Sequence, residues 1–381
     1  MEVTYDNFIK LLTEKMNVGK REEKSAKVLK AVECINNGGN IYIWPSGRIG
    51  RKVFEELELN GYKKLILVDE NSRGCNTINP NDVIFDSKDV LVVSTLTFSK
   101  EIYNLALKMN CNNILMYYDV KELGNISPIV FPEDFWDKCF ESLRNHLLEN
   151  PDRYKNMYFS LEDDVSKKAL LNNIFFRLTN DIRYTFECDE GIQYFDNSII
   201  NFNKEEILID AGGYTGDTLE KFLSLNIPFK AYYLFEPDKG LMEQAKNKVQ
   251  DIRVHYINKG LFSKSGEVKF KTTMGLDGHI IKENKYNEDE IDIIECVAID
   301  TYINDKVTFI KMDIEGAELE ALKGAEKTIK KYYPTLAISI YHKPSDYLDI
   351  FEYIRTLNPK YKFYLRQHAN FYAENVLYAV V

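Results

Sequence analysis

The stretch Asp210-Ala211-Gly212-Gly213-Tyr214-Thr215-Gly216-Asp217 decides how this chain reads. It follows an apolar run, Ile207-Leu208-Ile209, and leads into a helical pattern carrying Leu219, Phe222 and Leu223. Glycines at such a turn let the backbone bend sharply and approach a ligand closely. A strand-to-helix turn of this kind lies at the carboxyl end of a strand, where open α/β sheets bind ligands. Its spacing is D-x-G-x-x-x-G, which differs from the G-x-G-x-x-G of dinucleotide binders.

The charges on the turn select among ligands. A pyrophosphate would be repelled by Asp210 and Asp217. S-adenosylmethionine (SAM) carries a sulfonium and an ammonium, which nearby carboxylates suit. The next apolar run, Ala231-Tyr232-Tyr233-Leu234-Phe235, ends at Glu236, 26 positions after Asp210. A carboxylate at that strand end can accept both ribose hydroxyls, and Pro237 suits the first turn of a following helix. The candidate cofactor residues are therefore Asp210, Gly212, Gly213, Thr215, Gly216, Asp217, Glu236 and Pro237, with Gly260 just beyond the third strand.

Further runs complete an alternating pattern from residue 206: Val254-His255-Tyr256-Ile257, Val307 to Asp313, and Thr335 to Ile340. Tyr361 to His368 and Asn375 to Val381 read as a terminal hairpin. Five parallel strands closed by a hairpin is the layout of a methyltransferase-type α/β sheet. The fourth strand delivers Asp313 and Glu315 to the same rim as the glycine turn. Two carboxylates beside a cofactor site are costly without a partner. Glu318 reads as a solvated or capping residue. His342 and Lys343 follow the fifth strand, and a histidine near pKa 6.5 can take a hydroxyl proton. His342, Asp313 and Glu315 are the catalytic candidates. His279, in the glycine-bearing loop Gly275-Leu276-Asp277-Gly278-His279, is a candidate for covering the site. A Mg²⁺ bridged by Asp313, Glu315 or His342 is compatible with these oxygen donors, but no spacing demands a metal.

The span from Gln193-Tyr194-Phe195 to residue 381 resembles the FkbM-type methyltransferases. The resemblance rests on Ile209 to Asp217, Phe235-Glu236-Pro237, Phe309 to Glu318, Leu322-Lys323-Gly324-Ala325 and Ile338 to Lys343. It implies a class I SAM-dependent O-methyltransferase fold acting on sugars, polysaccharides or polyketide-type products. One departure is Gly213, where such loops commonly carry Ala; the smaller residue is expected to be harmless.

The N-terminal third has its own alternation. Strands are expected at Ile41 to Trp44, Leu65 to Val68, Val90 to Ser94 and Asn113 to Tyr117, with helices between them. Ahead of these, Ile9, Leu12 and Met16, and then Val28, Ala31 and Ile35, recur at helical spacing. The fold class is thus α/β: a smaller N-terminal Rossmann-like domain (1–120), a helical connector (121–205) entered through Pro128 and Pro132 and carrying Phe135-Trp136, and a methyltransferase domain (206–381). The loop Pro45-Ser46-Gly47-Arg48-Ile49-Gly50 is a degenerate glycine fingerprint, and Asp69 ends the next strand 22 residues after Gly47. It leaves two alternatives open: an NAD(P)-dependent sugar-nucleotide oxidoreductase using Gly47, Gly50 and Asp69, or a non-catalytic nucleotide-binding protein of a glycan pathway.

Bulk properties narrow the classes. The chain has 381 residues and a net charge of −10. Residues 1–120 hold 16 basic and 16 acidic side chains, residues 121–205 hold 10 and 16, and residues 206–381 hold 23 and 27. No segment is basic, which argues against tight nucleic-acid binding, so the expected partner is a small-molecule or glycan acceptor. No run approaches 18 uncharged apolar residues, the N-terminus lacks a signal pattern, and the six cysteines form no CxxC pair. A cytoplasmic location is expected.

Overall fold

The structure is a computed structural model. It describes residues 4–18, 26–70, 76–123, 142–187, 189, 191–202, 205–271, 279–280, 291–370 and 373–381. Pro128, Pro132, Phe135-Trp136 and the loop 275–278 lie outside the described residues. Two compact units form, one from residues 6–144 and 175–187, the other from residues 1–5, 145–174 and 188–381. The segment 121–205, expected as a connector, is thus divided between them.

In the first unit, β1 (Ile41–Trp44), β2 (Leu65–Val68), β3 (Thr77–Ile78), β4 (Val90–Val93) and β5 (Ile114–Met116) form a parallel sheet in the order β3-β2-β1-β4-β5. The two-residue β3 is too short to leave a periodic signal in the sequence. β1 and β4 are buried along their whole length, as strands covered on both faces must be. Helix Arg48–Leu59 buries Gly50, Val53 and Leu57, and helix Ser99–Lys108 buries Ile102 and Ala106. In helix Tyr5–Val18 the buried stripe is Phe8, Leu11 and Leu12. Ile9 is exposed, so the inward face is rotated by one residue from the expected one.

The second unit is built on seven strands: β6 (Glu206–Ala211), β7 (Phe229–Phe235), β8 (Val254–Ile257), β13 (Phe309–Met312), β14 (Thr335–Ser339), β15 (Lys362–Gln367) and β16 (Asn375–Val380). Their order is β15-β16-β14-β13-β6-β7-β8. The first five expected strands run parallel, and β16 enters antiparallel between β14 and β15. Between β8 and β13 lie four strands the sequence reading lacks: β9 (Gly260–Leu261), β10 (Gly266–Lys271), β11 (His279–Ile280) and β12 (Ile291–Val297). They form a separate sheet, β11-β10-β12-β9. Its partly polar strands, such as Gly266-Glu267-Val268-Lys269, face water on one side and give a weaker signal than the buried parallel strands.

Helices Pro151–Ser160 and the start of Asp164–Thr179 pack on this unit for a specific reason. Arg366, on β15, is buried and pairs with Asp163 at 2.7 Å and Asp196 at 3.3 Å. The Ser166 amide donates to Asp163 at 2.7 Å, and its hydroxyl accepts from Arg366 and from the Leu365 amide. Asn173 donates to the side-chain oxygens of Gln367 and Asn375. Asp163, Ser166, Asn173 and Asp196 all precede residue 206 in the chain, so the sheet alone would leave Arg366 buried without its carboxylates. A fragment of residues 206–381 is therefore expected to lack a cooperative thermal transition. A melt of that fragment followed by circular dichroism, showing a native-like transition, would refute this.

The turn after β6 is where the sheet becomes a site. The amides of Gly212 and Gly213 both donate to the Phe235 carbonyl at 3.0 Å, folding the turn onto the end of β7. Gly212 has φ +76° and a Cβ there would overlap the Asp313 carbonyl oxygen. A Cβ at Gly213 would meet only the Leu234 side chain, but closely, so the small residue is required here unless Leu234 repacks. Gly212→Ala should accordingly cost about 2–3 kcal/mol in urea unfolding, the scale of a backbone clash at a special φ. Gly213→Ala should cost clearly less. Equal losses would show that the Asp313 carbonyl does not press on Gly212 as described.

Candidate active site

Strands β7, β6, β13 and β14 are parallel neighbours, so their carboxyl ends share one rim. Beneath the glycine turn lies a buried ion pair. Asp210 Oδ1 stands 2.9 Å from Lys311 Nζ, and both side chains are at most 3% exposed. Asp210 Oδ2 accepts from the Tyr232 hydroxyl at 2.7 Å. Lys311 also donates to the carbonyls of Ala211 and Gly212 and lies 5.2 Å from the Tyr194 ring centroid. Burial works against the charge on Lys311, but Asp210 and Asp313 outweigh it and hold its pKa above the ordinary lysine value. Asp210, expected to face the cofactor, therefore has both oxygens engaged inside the protein.

Glu236 is placed as the spacing implied, at the end of β7. Its Oε2 accepts from the Tyr214 amide at 3.0 Å and its Oε1 from the Asp238 amide at 2.9 Å. Asn258 pins the same corner by donating to the carbonyls of Glu236 and Pro237. Burial pushes the Glu236 carboxyl up to about 6. Asp217 opens helix Asp217–Ser224 behind the left-handed Gly216, and Thr215 accepts from Lys248. Gly260 lies in β9 opposite Cys296, where a Cβ would crowd the Cys296 sulfur.

The other half of the rim carries the ionisable cluster. Asp313 Oδ2 accepts from the Tyr194 hydroxyl at 2.8 Å, and Oδ1 accepts from Tyr341 at 3.3 Å. Burial raises the Asp313 pKa, but His342, Lys311 and the Tyr194 hydroxyl bring it below the ordinary carboxylate value. His342 Nε2 lies 3.3 Å from Asp313 and 3.6 Å from Glu315, while Nδ1 lies 3.1 Å from Glu318. Burial disfavours its charge, yet Glu318, Asp313 and Glu315 push it up to about 10. The sequence reading expected a free base near pKa 6.5. The structure differs because both ring nitrogens face carboxylates, which retain the protons a base would have to lack.

Glu318 also departs from expectation. It is fully buried, and its Oε1 accepts from the amides of Ile314 and Gly316. It holds a turn in which Glu315 (φ +55°) and Gly316 (φ +88°) are both left-handed. Lys343 reaches the Gly316 carbonyl, and its amide donates to Asp346. Burial and the Glu318 charge raise Asp346 to about 7. Tyr194, Lys311, Tyr341 and Glu374, whose carboxyl is raised by burial and by Asp313, were not singled out from the sequence. Lys311 had a usable signal: a lone charge inside an apolar strand is rarely buried unpaired. His279 lies in β11, paired with Lys271, and its side chain is not described.

The N-terminal loop is closed on itself. Asp69 accepts from both the amide and the hydroxyl of Ser46, and a Cβ on Gly50 would overlap the Pro45 carbonyl oxygen. Gly50 thus serves close packing of the loop, while the space around Gly47 is open. Among the described residues no helix is long and apolar enough to cross a membrane.

Comparison with known proteins agrees with the geometry. Residues 210–363 match the family model of the Methyltransferase FkbM domain. The crystal structure of methyltransferase FkbM from Methylobacillus flagellatus superposes with a TM-score of 0.71 at 22% identity, covering 98% of each chain. An rRNA methylase from Streptococcus thermophilus aligns over 47% of this chain and 87% of its own, at 16% identity and a TM-score of 0.31. No curated protein matches. With the fold, the matched span and the glycine turn in agreement, residues 210–363 are an FkbM methyltransferase domain and the chain is a SAM-dependent methyltransferase.

Proposed function

We propose that the protein transfers the SAM methyl group to a hydroxyl of a carbohydrate or other small polyol-like acceptor. The observation that carries this reading is the joining of two unlike ends on one rim. The glycine turn and Glu236 are tied together by the Tyr214 amide. Gly212 abuts the backbone of Asp313, which opens the acidic cluster. SAM would lie along the turn with its ribose on Glu236, and its sulfonium would point toward Asp313 and Glu315. Thr215, Gly216, Asp217 and Pro237 frame the same pocket.

In the reaction the acceptor oxygen attacks the methyl carbon, the carbon–sulfur bond breaks, and S-adenosylhomocysteine leaves. The hydroxyl proton departs toward the carboxylates of Asp313 and Glu315. Much of the acceleration would come from holding the oxygen and methyl in line. His342, with carboxylates on both sides, positions that cluster and does not take the proton. The carbohydrate assignment draws on the family resemblance and on a pocket end rich in carboxylates and tyrosine hydroxyls, groups that hydrogen-bond to polyols.

The ribose assignment is tested at Glu236. Glu236→Ala removes the acceptor for both ribose hydroxyls, so SAM affinity measured by calorimetry should fall about ten- to a hundredfold. The pH response has a definite sign. The ionised carboxylate is the form that accepts two hydroxyl donors, and in the free protein it titrates at about 6. SAM affinity should therefore be full above that value and decline as pH falls through it. Glu236→Gln should flatten the decline. A wild-type affinity that is level from pH 8 to 5, in a folded protein, would remove Glu236 from the cofactor site.

A further inference from the structure

His342 is held in an unusual way. Its side chain is 9% exposed, and neither ring nitrogen closes a hydrogen bond of good geometry. Each nitrogen instead faces carboxylate oxygen. On the inner side, Nδ1 meets Glu318, which is fully buried. On the outer side, Nε2 meets Asp313 and Glu315, whose side chains are 23% and 44% exposed. The two nitrogens point away from each other, so the sides must be considered separately. Only the outer side is open to an ion arriving from solvent.

The spacings on that side suit an ion better than a direct contact. Nε2 is 3.3 Å from Asp313 Oδ1 and 3.6 Å from Glu315 Oε2. Ligand atoms about 2.0–2.2 Å from a common metal stand roughly 3.0–3.6 Å from one another, depending on coordination number. Behind the ring, Glu318 stands close to the same pair, with the ligand atoms of Asp313, Glu318 and His342 all within 4.8 Å of one another. The surroundings also match what metal sites require beyond their ligands. Glu318 would receive the Nδ1 proton and fix the ring, and the Tyr194 hydroxyl orients Asp313 through its second oxygen at 2.8 Å.

We propose that His342 Nε2, Asp313 Oδ1 and Glu315 Oε2 bind a divalent transition-metal ion, with Glu318 orienting the imidazole from behind. One imidazole and two carboxylates suit Mn²⁺, Fe²⁺, Co²⁺ or Zn²⁺ better than Mg²⁺, which prefers oxygen ligands alone. The ion deepens the proposed function and depends on it only for its role. Placed beside the methyl group, it would bind the acceptor hydroxyl and lower that hydroxyl's pKa. Glu318 is then a positioning residue, acting through His342.

The test uses the full chain, freed of metal by chelator and dialysis. Mn²⁺ alone is titrated and followed by its electron paramagnetic resonance signal, and Zn²⁺ alone by calorimetry. One saturable ion per chain is expected, with affinity better than about 0.1 mM. His342→Gln and Glu315→Gln should each weaken it about ten- to a hundredfold, and Glu318→Gln by about tenfold. Glu315 is the most exposed of the set, so its variant should fold whatever befalls the others, which circular dichroism would check. Absence of saturable binding of both ions, or binding unchanged in Glu315→Gln and His342→Gln, overturns the site. SAM binding is measured in parallel. Metal binding without SAM binding would sink the proposed function and leave the site standing, and the reverse would sink only the site.

Discussion

The buried pair of Asp210 and Lys311 is the constraint on which the rim depends. Two charges at a sheet centre are expensive to desolvate, and removing one partner of such a pair typically costs about 3–5 kcal/mol. Here the cost is offset by a complete shell. Tyr232 satisfies the second oxygen of Asp210, and the carbonyls of Ala211 and Gly212 take further Lys311 protons. That shell reaches in three directions. It holds the start of the glycine turn, it joins β6 to β13, and its charge helps keep Asp313 ionised. The lysine does not touch the acidic cluster with its own hydrogen bonds, yet its charge acts on Asp313 within it.

Much of this architecture was legible because the parallel strands are buried on both faces and read as continuous apolar runs. Ile207 to Ala211, Ala231 to Phe235 and Thr335 to Ser339 all lie where the pattern put them. Glu236 likewise stands where the spacing put it, directly after β7. The small sheet β9 to β12 escaped because its strands are short or partly polar. The inward face of the first helix was misjudged at Ile9 because neighbouring Phe8 and Leu11 form an equally good stripe.

The candidate site was legible in part of its membership and not in its pairings. Asp210, Asp313, Glu315, Glu318 and His342 all stand in quoted motifs, but a sequence does not say which carboxylate points inward. Asp210 turns toward Lys311, 101 residues away, and Glu318 toward His342, 24 residues away. Those pairings convert a presumed cofactor ligand into a structural ion pair and a presumed surface residue into the buried partner of the histidine. They also change the expected chemistry, because Glu318 on one side and Asp313 and Glu315 on the other hold the His342 imidazole well above the ordinary histidine value.

The two ends of the proposed site are built by different means, and this bears on how each tolerates change. The proposed cofactor end is largely backbone: the Gly212 and Gly213 amides close on Phe235, and the Tyr214 amide closes on Glu236. Its geometry depends on φ values and close approach, so small side-chain changes nearby leave it intact while a Cβ in the wrong place does not. The proposed acceptor end is side chains throughout: Asp313 and Glu315 from beyond β13, Tyr341 and His342 from beyond β14, and Tyr194 from a turn ahead of β6. Each can be altered without moving the turn. The ends meet where Gly212 touches the Asp313 carbonyl and where Lys311 lies under both. Substitutions of the carboxylates in the acidic cluster should therefore leave the shape of the glycine turn intact, because what the turn needs from Asp313 is its main chain and not its carboxylate.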